Sequence, residues 1–283
     1  MANILEAVKE IVENPITAIH EHYSGRNRAN NVGSALELFI KDAFSNSLGN
    51  PARTDDERNL LYNQHFSYLG NQNNPPDIII GSGDAIEVKK IQSPNADLAL
   101  NSSYPKSKIY SSSPMITQAC RDCEVWTEKD IIYCIGHTND NNLKSLWMVY
   151  GSIYAANNEI YERIKHTISA GVNSIENVEF AETKELGRVN KVDPLGITNL
   201  RIRGMWGIQN PKKVFSYVHQ MSNDSNFQLV TLLPTTKYES FPSLNRESIE
   251  SIINPNFNIS EVNIKNPNNP AQLVPCNLIT FRI

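Results

Sequence analysis

The sequence predicts an α/β fold, and two observations carry that prediction. Segments with apolar residues at helical spacing alternate along the chain with short apolar runs of strand character, the pattern of helices packed on a sheet. The second observation is local. Pro76-Asp77-Ile78-Ile79-Ile80, a Gly81-Ser82-Gly83 turn and Ala85-Ile86-Glu87-Val88-Lys89 read as two strands joined by a glycine turn. With 283 residues, 40% hydrophobic and 20% charged, the chain is long enough to bury a core of ordinary composition.

Each element has its own signal. Ile4, Leu5, Val8, Ile11 and Val12 recur at helical spacing and predict a helix over 3–13, which Asn14-Pro15 stops. A polar, basic stretch, Arg26 to Asn31, leads to a second helix from about Ser34 to Phe44, with Leu36, Phe39, Ile40 and Ala43 inward. Residues 48–59 read as a polar loop or short helix. The two motif strands cover 77–80 and 84–91. Residues 92–113, rich in Ser, Asn, Pro and Lys, read as a long structureless segment, which in a compact domain is usually functional or disordered. A helix over 114–125, strands over 130–136 and 146–151, and a helix over 152–169 follow. Beyond these, 199–206 alternates apolar and basic residues, 228–233 is a clear strand, 254–275 reads as an Asn- and Pro-rich loop, and 277–283 as a terminal strand. No internal repeat or linker divides the chain.

Composition excludes several classes. No apolar run approaches the roughly 18–20 residues of a membrane helix. Met1 to Glu6 shows no basic region followed by an apolar stretch, so the expected compartment is the cytoplasm and no membrane partner is expected. The net charge of −4, from 26 basic and 30 acidic residues, argues against a surface that attracts nucleic acid everywhere, though not against a basic cleft. Cys120, Cys123, Cys134 and Cys276 are expected as thiols in that compartment. Cys120, Cys123, Cys134 and His137 have a C-x2-C-x10-C-x2-H spacing open to a Cys3His zinc site. The plainer alternative is that Cys134 packs as a small apolar residue inside a buried strand.

The chemistry concentrates in the motif hairpin. Residues i and i+2 of a strand share a face, so Glu87 and Lys89 project together with Val88 behind them. Across a hairpin, Asp77 reaches the same point. Two carboxylates and an ammonium there are costly unless they hold a divalent cation and a charged substrate. That set suits phosphodiester hydrolysis with magnesium: Asp77, Glu87 and the Val88 carbonyl as ligands, Lys89 orienting the attacking water or holding the phosphate. A lysine beside two carboxylates stays charged, which favours positioning over proton abstraction. The plain alternative is a hairpin with a solvated Glu–Lys pair and Asp77 as a turn residue. Glu37 has two readings, an additional acidic residue facing the metal or the glutamate of a capping box, Ser34-Ala35-Leu36-Glu37. Gln118 reads chiefly as an exposed helix residue.

Asp77, nine intervening residues and Glu87-Val88-Lys89 resemble the PD-(D/E)xK nuclease superfamily. The wider chain resembles type II restriction endonucleases of the NgoPII type. The stretches are Arg28-Ala29-Asn30 into Gly33 to Glu37, Pro76-Asp77 to Lys90, Leu98 to Lys108, and Lys129 to Gly136. The resemblance implies a restriction-endonuclease-like core, a central mixed sheet flanked by helices. It implies a single nuclease domain over 1–283, with the catalytic core in about 30–170 and 171–283 contributing to DNA recognition or dimerisation. It further implies a Mg2+-dependent homodimer cutting double-stranded DNA at a short palindrome, with GGCC the site associated with the type, and a cognate DNA methyltransferase as functional companion. Two subunits about a twofold axis would each cut one strand. Lys106, Lys108, Arg201 and Arg203 are candidates to read guanine, Asn101, Ser102 and Ser103 to touch phosphates or bases, and Arg26 and Arg28 to clamp the backbone. Each has the alternative of a solvated loop residue. Competing functions are a repair or mobile-element nuclease of the same superfamily, or a DNA-binding module with a vestigial nuclease site.

Overall fold

The computed structural model describes residues 2–24, 32–50, 54–71, 74–183, 185–222 and 224–283. Among these, helices α1 (Ile4–Glu13), α2 (Ile19–Ser24), α3 (Val32–Phe44) and α4 (Asp55–His65) come first. Strands β1 (Phe66–Tyr68), β2 (Ile78–Ile80), β3 (Ala85–Ile91), β4 (Leu98–Asn101) and β5 (Lys108–Tyr110) follow. Helix α5 (Gln118–Asp122) precedes β6 (Glu128–Asn139), β7 (Asn142–Tyr150) and helix α6 (Asn158–Asn173). Short strands β8 (Glu179–Phe180), β9 (Gly187–Asn190), β10 (Leu200–Ile202) and β11 (Trp206–Ile208) lead to α7 (Pro211–Val214) and β12 (Gln228–Pro234). Helices α8 (Thr235–Ser240) and α9 (Ser243–Glu250) and the hairpin β13 (Phe257–Asn266) and β14 (Asn269–Arg282) complete the chain.

A central sheet runs β1-β2-β3-β6-β7-β12-β14-β13, with β5 alongside the start of β6. The sheet is mixed: β3 runs parallel to β6 and β7 to β12, and the other neighbours are antiparallel. Helix α3 lies on β3 and β6, α2 on β7, and α8 on β12 and β14. The expected α/β class, a mixed sheet flanked by helices, is therefore the one observed. The C-terminal part contributes β12, β13 and β14 to this same sheet.

The N-terminal helices form for the reasons read in the sequence. The Asn3 side chain caps α1 by accepting from the amides of Leu5 and Glu6 at 2.9 and 3.2 Å. Ile4, Leu5, Val8, Ile11 and Val12 are all buried, each contributing about 1.5–3 kcal/mol of burial. Helix α3 buries Leu36, Phe39, Ile40 and Ala43. Its close approach to the sheet depends on Gly136 in β6, where a Cβ would lie 2.7 Å from Leu36 Cδ2. Phenolic hydroxyls of Tyr23 and Tyr62 donate to the two oxygens of Asp42 at 2.8 and 2.6 Å, tying α2 and α4 to α3.

Two loop expectations are corrected. Residues 92–113 contain β4 and β5, and β4 pairs with β11 in a small two-stranded sheet. The partner lies about a hundred residues away, so no local pattern announces it. Residues 254–275 belong mostly to β13 and β14. Asn269 to Pro275 pair only with β13 among the described residues, and β13 is the sheet's edge. An edge hairpin wet on both faces accepts the asparagines and prolines that look like loop composition.

Candidate active site

The β2–β3 hairpin builds the site. Pairing of Ile78 with Ile86 and Ile79 with Ala85 brings Asp77, one residue before β2, alongside the middle of β3. The Asp77 amide donates to the Ile86 carbonyl at 3.0 Å, and its Oδ2 accepts from the Val88 amide at 2.7 Å. Glu87 and Lys89 share a face of β3, with Lys89 Nζ 2.6 Å from Glu87 Oε1. The other carboxylate oxygen, Glu87 Oε2, is buried and meets no hydrogen-bond donor among the described residues.

These groups perturb one another strongly. Burial, then the nearby Asp77 carboxylate, raises the Glu87 pKa to about 7. Burial also raises Asp77, against the lowering pull of Lys89 and the Val88 amide. Burial by itself would lower Lys89, but Glu87 and Asp77 outweigh it and the net shift is upward. Lys89 is therefore an ammonium at neutral pH, suited to holding a phosphate or orienting water and unsuited to abstracting a proton.

Glu37 belongs to this electrostatic group. Helix α3 starts at Val32, so Ser34 is a helix residue and the capping-box reading of Ser34 and Glu37 is not the one observed. Glu37 lies on the outward face of α3, where desolvation and then the Asp77 charge raise its pKa, opposed by Lys41 and Lys89.

A cleft of about 720 Å³ opens over the hairpin. Asp77, Glu87 and Lys89 line it together with Asn101, Ser102, Ser103, Glu185 and Arg203. Two carboxylates, one with a buried oxygen that meets no donor among the described residues, thus stand beside an ammonium in a cleft that Arg203 also lines.

A model of the NgoPII restriction endonuclease family matches residues 2–265. The type II restriction enzyme NgoPII of Neisseria gonorrhoeae is 46% identical over 282 residues, which cover 99% of this chain and all of that protein. No solved structure matches. The chain belongs to the NgoPII restriction endonuclease family.

Within this family member the remaining sequence-derived candidates fall in different places. Asn101, Ser102 and Ser103 line the catalytic cleft, as does Arg203. Arg201 and Arg203 both pair with Glu185. Lys106 is only 3% exposed. It lies behind the site, its ammonium 4.2 Å from the centre of the Tyr104 ring, in a small cavity it shares with Glu87. Burial lowers its pKa to about 8, against the pull of Glu87. Lys106 is thus a buried neighbour of Glu87 and not the surface side chain that the DNA-reading expectation called for. Lys108 bonds to Glu128 at 2.6 Å and lies 3.8 Å from Asp130. It lines a separate cavity of about 420 Å³ with Asp84 and Lys237, away from the cutting centre, so no DNA contact at that centre comes from it. Gln118 bonds to Asp122 on the exposed face of α5. Arg26 and Arg28 lie outside the described residues.

The zinc expectation is also corrected. No cluster of three or more His, Cys, Asp or Glu residues able to hold a metal ion exists among the described residues. Cys134 is buried in the middle of β6, where burial pushes its thiol well up. Cys120 is buried on α5, its thiol raised to about 12 by burial, and Cys123 Sγ faces Ser67 Oγ at 3.7 Å. The spacing arises because the α5 segment precedes a buried strand, and the thiols pack as small apolar groups.

The sequence reading missed Glu185, Asn71, Asn74 and Met205, all part of the cleft lining. Only the charge of Glu185 near two arginines gave any signal. Its place depends on the three-stranded sheet β10-β9-β8, which packs on α6.

Proposed function

We propose that this protein is a Mg2+-dependent type II restriction endonuclease whose cutting centre is Asp77, Glu87 and Lys89, with Glu37 as an accessory acid. The observation that carries this reading is the buried, unpartnered Oε2 of Glu87 beside the Asp77 carboxylate and the Lys89 ammonium. A carboxylate oxygen desolvated without a donor is costly, and a hard divalent cation removes that cost.

Asp77 and Glu87, with the Val88 carbonyl, would hold the ion. A bound Mg2+ supplies charge neutralisation at the phosphate and acidifies a coordinated water. Lys89, held protonated by its two acidic neighbours, orients the water or the scissile phosphate. Glu37 adds negative charge on the α3 side and steadies the cation-binding face. Asn101, Ser102 and Ser103, which line the cleft, would donate to the DNA backbone or base edges, and Arg203 in the same lining, with Arg201 beside it on Glu185, would draw the strand in.

The same reading includes a homodimer acting on a short palindrome, GGCC being the site the sequence resemblance suggests. It also includes a cytoplasmic setting alongside a methyltransferase that protects the host's copies of that site. No helix among the described residues is long and apolar enough to cross a membrane. The test is digestion of plasmid DNA with Mg2+ followed by sequencing of the ends. Discrete bands with one common end sequence are expected. Random ends would replace the restriction reading with a repair-type nuclease, and no cleavage in any divalent metal would leave a vestigial site.

A further inference from the structure

Glu185 stands two residues before β9, in the lining of the cleft that also holds Asp77, Glu87 and Lys89, and two arginines from the β10 side of the hairpin converge on it. Arg201 donates its Nε to Oε2 at 3.1 Å and its Nη2 to Oε1 at 2.8 Å. Arg203 Nε lies 2.6 Å from Oε1. The glutamate side chain is 15% exposed, whereas those of Arg201 and Arg203 are 57% and 60% exposed. The carboxylate is thus tucked in and the guanidinium groups are presented outward.

Stability explains this arrangement poorly. Ion pairs to arginines this exposed contribute little to folding, and two cations on one carboxylate leave an excess positive charge. Recognition explains it better. A guanidinium is a rigid plane, so fixing one edge aims the other. Arg201 commits Nε and Nη2 to Glu185 and keeps Nη1 donors in the same plane, and Arg203 commits only Nε. A two-donor guanidinium edge matches the N7 and O6 acceptors of guanine in the major groove. Arg203 lines the same cleft as Asp77, Glu87 and Lys89, so a base pair near the cut passes close to it.

We infer that Glu185 is a specificity-determining positioning residue, which holds Arg201 and Arg203 in the orientation that reads guanine close to the scissile bond. The inference rests on the restriction-endonuclease reading, and the experiment separates the two. With the full-length protein, the wild-type site is first found by sequencing the ends of digested plasmid. Oligonucleotide duplexes carrying that site, and versions with one G·C pair changed to A·T, are then cut by the wild type, Glu185→Gln, Arg203→Lys and the double variant. kcat/KM is measured for each duplex.

Glu185→Gln is expected to lower the ratio of cognate to altered-site cleavage by roughly tenfold or more at one or two G·C positions. Arg203→Lys, which keeps the charge and loses the fork, is expected to relax the same positions. The double variant should lose much less than the two effects combined, because one acts through the other. An equal loss on every duplex, with discrimination unchanged, would mean a phosphate clamp or a structural staple and would overturn the inference. If Glu185→Gln does not fold, Arg203→Lys gives the same discrimination test. Wild-type cleavage without a common site would instead sink the restriction reading, and this inference with it.

Discussion

Two clusters of buried carboxylates flank the same stretch of chain, and they differ in one respect. Asp84, one residue before β3, has both oxygens satisfied: Lys237 Nζ at 2.6 Å from Oδ1 and the Tyr150 hydroxyl at 2.6 Å from Oδ2. Lys237 also reaches Asp130 at 2.8 Å. Glu87, three residues further, has one oxygen held by Lys89 and the other by nothing among the described residues. Burial raises the pKa of both carboxyls. A perturbed pKa therefore does not separate the two clusters, and completeness of hydrogen bonding does. The Asp84 cluster is a closed network that locks α8 to the sheet. The Glu87 cluster is left incomplete at Oε2 among the described residues, which is the feature the proposed metal site rests on.

The sharpest way to break this contrast is to remove Asp77 or Lys89. Asp77→Ala and Lys89→Ala are expected to cut the rate of plasmid cleavage in Mg2+ by about 10²–10³-fold or more, measured at a temperature where circular dichroism shows each variant folded. Unchanged cleavage in either variant would remove the site assignment. In the closed cluster the expectation is reversed. Lys237→Met leaves Asp84 and Asp130 without their shared cation, and a denaturant titration should show a loss of about 3 kcal/mol. A loss under about 1 kcal/mol would mean that the network is not the staple its geometry suggests.

Glu87 should show the opposite sign. Its carboxyl is raised from 4.5 to about 7, so between those values the folded chain holds a proton that the unfolded chain has released. Metal-free stability must then fall as pH rises through that window. Glu87→Gln should stabilise the metal-free protein by about 1–3 kcal/mol at pH 8 and scarcely at all near pH 4.5; equal effects at both would refute the assignment of the shift. Added Mg2+ competes with the same proton, so its stabilisation of the wild type should grow from about pH 5.5 to 7.5 and flatten in Glu87→Gln. Melting curves at several pH values read both effects. The smallest effect is expected at Glu37: Glu37→Gln should slow cleavage about tenfold, as loss of a supporting group near a metal does. Kinetics indistinguishable from the wild type would confine Glu37 to its helix.

Much of the proposed cutting centre's arrangement was legible in the sequence because it is local. Asp77, Glu87 and Lys89 lie within thirteen residues, strand periodicity puts two of them on one face, and the Gly81–Gly83 turn returns the third to them. The α1 and α3 helices were legible for the same reason, from apolar spacing that needs no distant partner. The DNA-facing wall was not. Lys106 and Lys108 look alike in sequence, both within the Lys-rich end of a polar segment. The β5–β6 pairing and the Tyr104 and Tyr133 rings bury the first behind Glu87, and Glu128 holds the second at another cavity.

The sequence by itself determined the α/β class, the hairpin that gathers Asp77, Glu87 and Lys89, and the positive charge of Lys89, since these follow from short-range geometry and charge. Tertiary structure alone decided that Asn-rich 257–275 is an edge hairpin, that Cys120, Cys123, Cys134 and His137 do not converge, and that Glu185 gathers Arg201 and Arg203 at the cleft that Asp77, Glu87 and Lys89 line. The physical reason is the same in each case. Those features depend on contacts between segments tens to hundreds of residues apart, whose partners are selected by packing and leave no periodic trace in either segment.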